Sequence, residues 1–254
     1  MMKNTFLKII IAASAWIFAW CKVDAQVNFA LDFQTMHLWR GMEVADGVVL
    51  TSDLNVTDRQ KRFCFGLWGG MNTQTSYKEF DYYLSYTKGN FKFSLWDIYN
   101  FSPDADYNNK EAFNYKASET GRFIDATVAY RWSDKFPLSL NWSTIVFGRD
   151  RNRANESNRY STFVYAEYPF WQKGGWGISA GIGGAFAICP GKDETGYRIR
   201  ENFYGDTAGI VHLNLKAVYQ LSVCQMDFPI TLLTMWNPQS NDAFFQVGVR
   251  VLEF

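Results

Sequence analysis

From Gln26 to the end of the chain, apolar and polar residues alternate in run after run. In the first run Val27, Phe29, Leu31 and Phe33 alternate with Asn28, Ala30, Asp32 and Gln34. In the fourth, Phe80, Tyr82, Leu84 and Tyr86 alternate with Glu79, Asp81 and Ser85. Residues two apart on an extended strand share a face, so each run has one apolar and one polar side. The runs fall at roughly 27–34, 48–57, 63–72, 79–87, 91–101, 123–132, 138–147, 159–169, 175–187, 209–221, 227–236 and 243–252. Most of them approach or reach the ~9–11 residues with which a tilted strand crosses a bilayer.

After the N-terminal region, no segment offers the ~20 uninterrupted apolar residues of a membrane helix. A closed barrel is the other structure that satisfies every backbone polar group in lipid. The expected fold is therefore all-β: a transmembrane antiparallel up-and-down barrel of about twelve strands. A chain of 254 residues that is 48% apolar is too apolar for disorder. Nineteen Gly, six Pro and 18% aromatics suit an all-β protein with rings at a membrane interface. A formal net charge of zero gives no argument for a nucleic-acid partner.

Residues 1–25 read as a secretory signal peptide and 26–254 as one barrel domain. Lys3 and Lys8 precede the apolar run Ile9 to Ala19, and Val23-Asp24-Ala25 forms a small-x-small cleavage site. Trp20 before Cys21 is too large for lipoprotein processing. The remaining Cys64, Cys189 and Cys224 make neither a disulfide framework nor a metal-ligand spacing. No cofactor or metal is expected.

Short and long connections alternate. Short turns fall at 58–61, 88–90, 133–137, 170–174 and 222–226, and the longest links, 102–122 and 188–208, have the other parity. Outer-membrane barrels have short periplasmic turns and longer outer loops, so both termini are expected in the periplasm. Aromatic residues cluster near both strand ends, as two interfacial girdles require. The outer girdle is expected to hold Trp39, Phe80, Tyr99, Phe101, Tyr160, Phe186 and Trp236. Phe63, Tyr86, Phe91, Tyr130, Trp132, Tyr168, Trp176, Tyr219 and Phe228 belong to the inner one. The terminal Phe254 is a mark of outer-membrane barrels. It sits on the opposite parity to Phe245, Val247, Val249 and Val251. A bulge near Leu252 would restore its phase.

Several segments together resemble a known family. They are FQTMHLWRG (Phe33 to Gly41), FGLWGGMN (Phe65 to Asn72), KEFDYYLSYT (Lys78 to Thr87), GNFKFSLWDIYNF (Gly89 to Phe101), YAEYPF (Tyr165 to Phe170), Trp236-Asn237-Pro238 and FFQVGVRV (Phe244 to Val251). In this order they resemble the TorF-like family of porin-type outer-membrane barrels. The resemblance implies a barrel with a channel role and supplies no solute and no catalytic residues.

The polar parity gives the candidate lumen-lining residues Asp32, Asp53, Glu79, Asp81, Lys92, Asp125, Arg131, Glu167, Lys216 and Arg250. Charges kept from lipid belong in a wet or paired interior. Trp68, Tyr83, Trp96, Phe163 and Tyr165 share that parity and should narrow the passage. Outer-loop bases Arg149, Arg151, Arg153 and Arg159 exceed Asp150 and Glu156, which suits either a solvated loop or attraction of anions.

The expected function is a channel for small hydrophilic solutes in the outer membrane, with membrane lipid, lipopolysaccharide and the barrel assembly machinery as partners. The alternatives are a non-conducting structural or surface-interaction barrel and, behind it, a lipid-modifying enzyme. That last reading needs a lipid-facing histidine. His37 has the outward parity near the rim, whereas His212 shares the inward parity of Asn214 and Lys216. No serine has the context of a nucleophile, so no catalysis is expected.

Overall fold

The computed structural model describes residues 25–192, 195–197 and 199–254. The signal segment expected at residues 1–25 lies outside these except for Ala25. Twelve strands run β1 (Ala25–Trp39), β2 (Met42–Asp58), β3 (Phe63–Asn72), β4 (Lys78–Lys88), β5 (Phe91–Asn100) and β6 (Phe123–Arg131). They continue β7 (Ser139–Gly148), β8 (Ser161–Lys173), β9 (Trp176–Ala187), β10 (Gly209–Val223), β11 (Met226–Asn237) and β12 (Asp242–Glu253). Each strand pairs antiparallel with its sequence neighbours, and β1 pairs with β12, so the sheet closes on itself. There is no helix among the described residues. Closure removes the two edges that an open sheet would present.

The alternation sorts as expected along most of the wall. Leu54, Val56, Phe65, Leu84, Phe93, Leu95, Ile182, Leu215 and Phe245 are exposed on the outside. Thr51, Asp81, Asp125 and Ser143, on the other parity, are buried. Exposed rings stand near both ends: Phe80, Phe101, Tyr160 and Trp236 at one, and Phe63, Phe91, Trp132, Tyr168 and Trp176 at the other.

Bulges decide the phase elsewhere. Leu31 faces Leu252 while Asp32 faces Arg250, so β12 carries one extra residue at Val251. That residue returns Leu252 and Phe254 to the outer face. Phe254 exchanges backbone hydrogen bonds with Phe29 at 2.9 and 3.1 Å, and their rings lie 5.6 Å apart.

A second set of irregularities corrects the reading of the first hairpin. β2, at 17 residues, is the longest strand and β1, at 15, is matched only by β10; both run well past the alternating cores at 27–34 and 48–57. Their register shifts between Gln34 and Met36, where Gln34 faces Val49 but Met36 faces Asp46, and again between His37 and Leu38. Both extra residues fall on β2, one within Gly47–Val48 opposite Thr35 and one at Val44, so the end of the hairpin bends. His37 and Trp39, expected at the outer rim, face inward: His37 lies against the rings of Trp68 and Tyr77, and Trp39 against those of Phe123, Phe203 and Tyr204.

Tyr99 is also corrected. It is buried because the 102–122 segment folds over the outside of β4 and β5. There Arg122 donates from Nε to Asp97 at 2.7 Å and lies near the rings of Tyr82, Tyr99 and Tyr115. Phe186 packs edge-on against Trp142.

Candidate functional site

Twelve strands at about 4.8 Å spacing and ordinary tilt make a backbone tube of about 24 Å diameter. Wall side chains alone leave such a tube open along its axis. Here the tip of the β1–β2 hairpin folds into it. The Gly41 carbonyl accepts a hydrogen bond from Asn237 Nδ2 on β11 at 3.0 Å. A Cβ on Gly41 would lie 2.1 Å from the Val211 carbonyl oxygen of β10, which shows how closely the tip approaches the wall. Val211 is itself the bulged residue of β10.

Arg40 reaches farther, to β6. Its two terminal nitrogens donate to the two carboxylate oxygens of Asp125 at 2.6 and 2.8 Å. β6 lies five places around the twelve-strand ring from β1, almost diametrically opposite, so this bidentate pair spans the lumen. Arg40 also donates to the Tyr204 hydroxyl at 2.7 Å, and its guanidinium lies over the Trp39 ring at 4.6 Å. Burial disfavours the guanidinium charge, yet the facing Tyr204 and Asp125 hold its pKa above the ordinary arginine value.

A second inward element completes the closure. Within 188–208, the Phe203 amide donates to Ser161 Oγ at 2.8 Å and Tyr204 is buried. Trp39, Phe123, Phe163, Phe203 and Tyr204 form one aromatic cluster with ring centroids 5.0–6.1 Å apart. Ile98, Ile145, Ala185 and Val211 pack with it. The barrel thus has an apolar core inside its outer half.

Cavities remain on both sides of the tip. One of about 340 Å³ is lined by His37, Trp39, Arg40, Trp68, Glu79, Asp81, Trp96, Phe123, Asp125, Arg149 and Phe203, among others. A second of about 360 Å³ shares Trp39, Arg40 and Thr127 and adds Tyr165, His212, Asn214 and Lys216. A third of about 620 Å³, with Asp32, Asp53, Tyr83, Arg250 and Glu253, borders the first at Trp68.

The ten expected lining residues divide into groups. Asp32 pairs with Arg250 at 2.8 Å and Glu167 with Lys216 at 2.6 Å, both between inner walls. Asp125 takes Arg40, a partner that the strand pattern did not offer. Asp53 accepts from the Tyr83 hydroxyl at 2.9 Å. Glu79 and Asp81 line the first cavity without an ion pair to any described residue. Lys92 is exposed towards the end of the tube that holds both termini, and Arg131 lies at the rim facing Asp134. Opposite charges therefore mostly neutralise each other inside the tube.

The inward aromatics narrow the passage less than their size implies. Tyr83 lies across Gly66, where a Cβ would be 2.1 Å from its ring, and Phe163 lies across Gly183. Small residues let the large rings lie against the wall.

Three features were not visible in the pattern: the inward hairpin tip, the Phe203-Tyr204 pair, and Arg149 as a cavity residue. WRG at Trp39 to Gly41 was the available signal, an Arg-Gly corner at a strand end. The basic outer loop also reads differently. Arg159 pairs with Asp150 at 2.9 Å, Arg153 with Glu201, and Arg151 donates to Asn155 and Asn158. It is no free basic patch. His37 stacks against Trp68 and Tyr77 at 5.5 and 5.7 Å. It is not on the lipid-facing wall, so the enzyme reading loses its motivating residue.

No family model matches the chain, and no curated protein matches its sequence. Solved outer-membrane proteins resemble it in structure. One is OpdK of Pseudomonas aeruginosa with vanillate, at 12% identity and a TM-score of 0.35, over 89% of this chain and 65% of that one. Another is a triple mutant of the Rhodopseudomonas blastica porin, at 12% identity and a TM-score of 0.37, over 91% of this chain and all of that one. This chain thus spans about two-thirds of the length of OpdK. These are likenesses at a distance, and the functional reading stands on the chain's own residues.

Proposed function

We propose that this chain is an outer-membrane barrel that passes small hydrophilic solutes through a lumen held nearly shut by its own first hairpin. Closed strands, an outward apolar belt, two ring girdles and a phased terminal Phe254 support the location. The TorF-like resemblance agrees with it. The observation that carries the gating is the Arg40–Asp125 pair across the lumen, with cavities on either side. An ion pair is a reversible latch, whereas a fully packed core would have no reason to leave room around it.

Planar-bilayer recording of the purified barrel tests this. The wild type should show small, brief conductance steps, and Arg40→Ala should show larger and longer ones. Silence from both, across several salts, would move the protein to the second reading. That reading is a non-conducting barrel acting through its outer loops, and the aromatic cluster in the outer lumen favours it.

The membrane assignment has its own check. Leu95 lies on the outward parity in the middle of β5 and is exposed. Leu95→Lys should cost about 2–4 kcal/mol of unfolding free energy in lipid vesicles if that face meets the bilayer midplane. An unchanged urea midpoint would place this face in water.

A further inference from the structure

We infer that the cavity beneath the hairpin tip binds a small zwitterion, an amino-carboxylate with an apolar or aromatic side chain. The inference deepens the channel reading by naming its solute class, and it rests on that reading for its role in passage.

Its basis is an unbalanced set of charges around one enclosed space. Of the five charged groups that line it, Arg40 and Asp125 neutralise each other. Glu79, Asp81 and Arg149 are left: none makes a direct ion pair with a described residue, and Glu79 and Arg149 attract each other across the cavity without touching. Glu79 accepts from Asn100 at 3.2 Å and Asp81 from the Tyr99 amide at 3.0 Å, both neutral donors. Glu79 and Asp81 stand two residues apart on one face of β4, about 7 Å between backbones along the strand, and their carboxyl groups lie within hydrogen-bond reach of each other. One ammonium with three donors can engage both.

Arg149 supplies the opposite sign. Its guanidinium is held over the rings of Tyr107, Phe203 and Phe123 at 3.9, 4.9 and 5.1 Å. Its Nε is buried without a hydrogen-bond partner. Stacking fixes the plane of the guanidinium and leaves its edge for an acceptor. The Nε is closed off by these rings, so a ligand carboxylate would meet the terminal nitrogens of the guanidinium, which donate to no described residue and whose chemistry it suits.

Between the two charged walls stand the rings of Trp68, Trp96 and Phe123. A solute with only one charge would leave the other wall unanswered. The volume, about 340 Å³, is at the small end of ligand sites, as an amino acid requires.

The test is equilibrium dialysis of the purified full-length barrel in detergent against L-phenylalanine, phenylpropanoate and phenylethylamine. L-phenylalanine should bind about tenfold or more tighter than either analogue, since each lacks one charge-assisted contact. Arg149→Gln should bring L-phenylalanine down to the level of phenylethylamine and leave the amine unaffected. Glu79→Gln combined with Asp81→Asn should bring it down to phenylpropanoate and leave that acid unaffected. The analogue that still binds shows in each case that the variant is folded. The wild-type series alone is decisive: no binding by any ligand, or an analogue binding as tightly as the zwitterion, overturns the inference. Binding with silent bilayers would instead retire the channel reading and keep the site.

Discussion

Arg40→Ala is expected to destabilise the barrel by about 3–5 kcal/mol and to open it. That magnitude is typical when one partner of a buried ion pair is removed and the other stays behind. Asp125 has a side chain only 1% exposed and takes both of its hydrogen bonds to cationic nitrogen from Arg40. Its remaining donor is the Thr127 hydroxyl at 2.9 Å. The same substitution removes the bond to Tyr204 and the cation stacked on Trp39. Urea unfolding should show a lower midpoint at an unchanged slope, the mark of lost stability rather than altered exposure. Arg40→Lys should fall between, because an ammonium keeps the charge and loses the two-pronged geometry. A midpoint within about 0.5 kcal/mol of the wild type would mean that the pair holds nothing in place.

Gly41→Ala should open the lumen by a different route. Gly41 has φ +88°, and an added Cβ would meet the Val211 carbonyl oxygen at 2.1 Å and its carbon at 2.9 Å. Both atoms are backbone, so no rotamer relieves the contact. The left-handed conformation adds about 1–2 kcal/mol for a side chain. The tip would have to withdraw, taking with it the Asn237 bond and moving Arg40 out of reach of Asp125. Conductance should rise as in Arg40→Ala, and combining the two should add little, since both release one element. Gly89→Ala is the control. Gly89 also has positive φ, at +58°, but nothing lies within 4 Å of its added Cβ. It should lose some stability and leave conductance unchanged.

The strand count, the closure and the two faces of the wall were legible because period two is a local signal. Each residue's facing follows from its neighbour's. Bulges break that rule by a single residue. At Val251 the break could be anticipated, because Phe254 was visibly out of phase with Val249. Around Thr35 no residue had to be on a particular side, so nothing in the alternation betrayed that the hairpin end bends and that His37 and Trp39 face inward. The charged lining was legible as a set, since acids and bases on the inner parity need partners. The identity of the partners was not. Asp125 and Arg40 are 85 residues apart and meet only because a hairpin tip crosses the tube. Arg149 follows β7 in sequence and reads as loop, and three rings from distant segments draw it into the cavity.

Labelling of thiols on intact cells tests both the sidedness of the barrel and its plug in one experiment. Cys189 is exposed in the 188–208 loop and Cys224 is exposed in the turn between β10 and β11, at the opposite end of the tube. Thr127→Cys would place a thiol on the inner wall of β6, beside both cavities that flank the tip. With a membrane-impermeant maleimide added outside, Cys189 should be modified, and both Cys224 and the introduced thiol should be protected. Modification of Cys224 would contradict the orientation, and reaction at position 127 as fast as at Cys189 would contradict the plug.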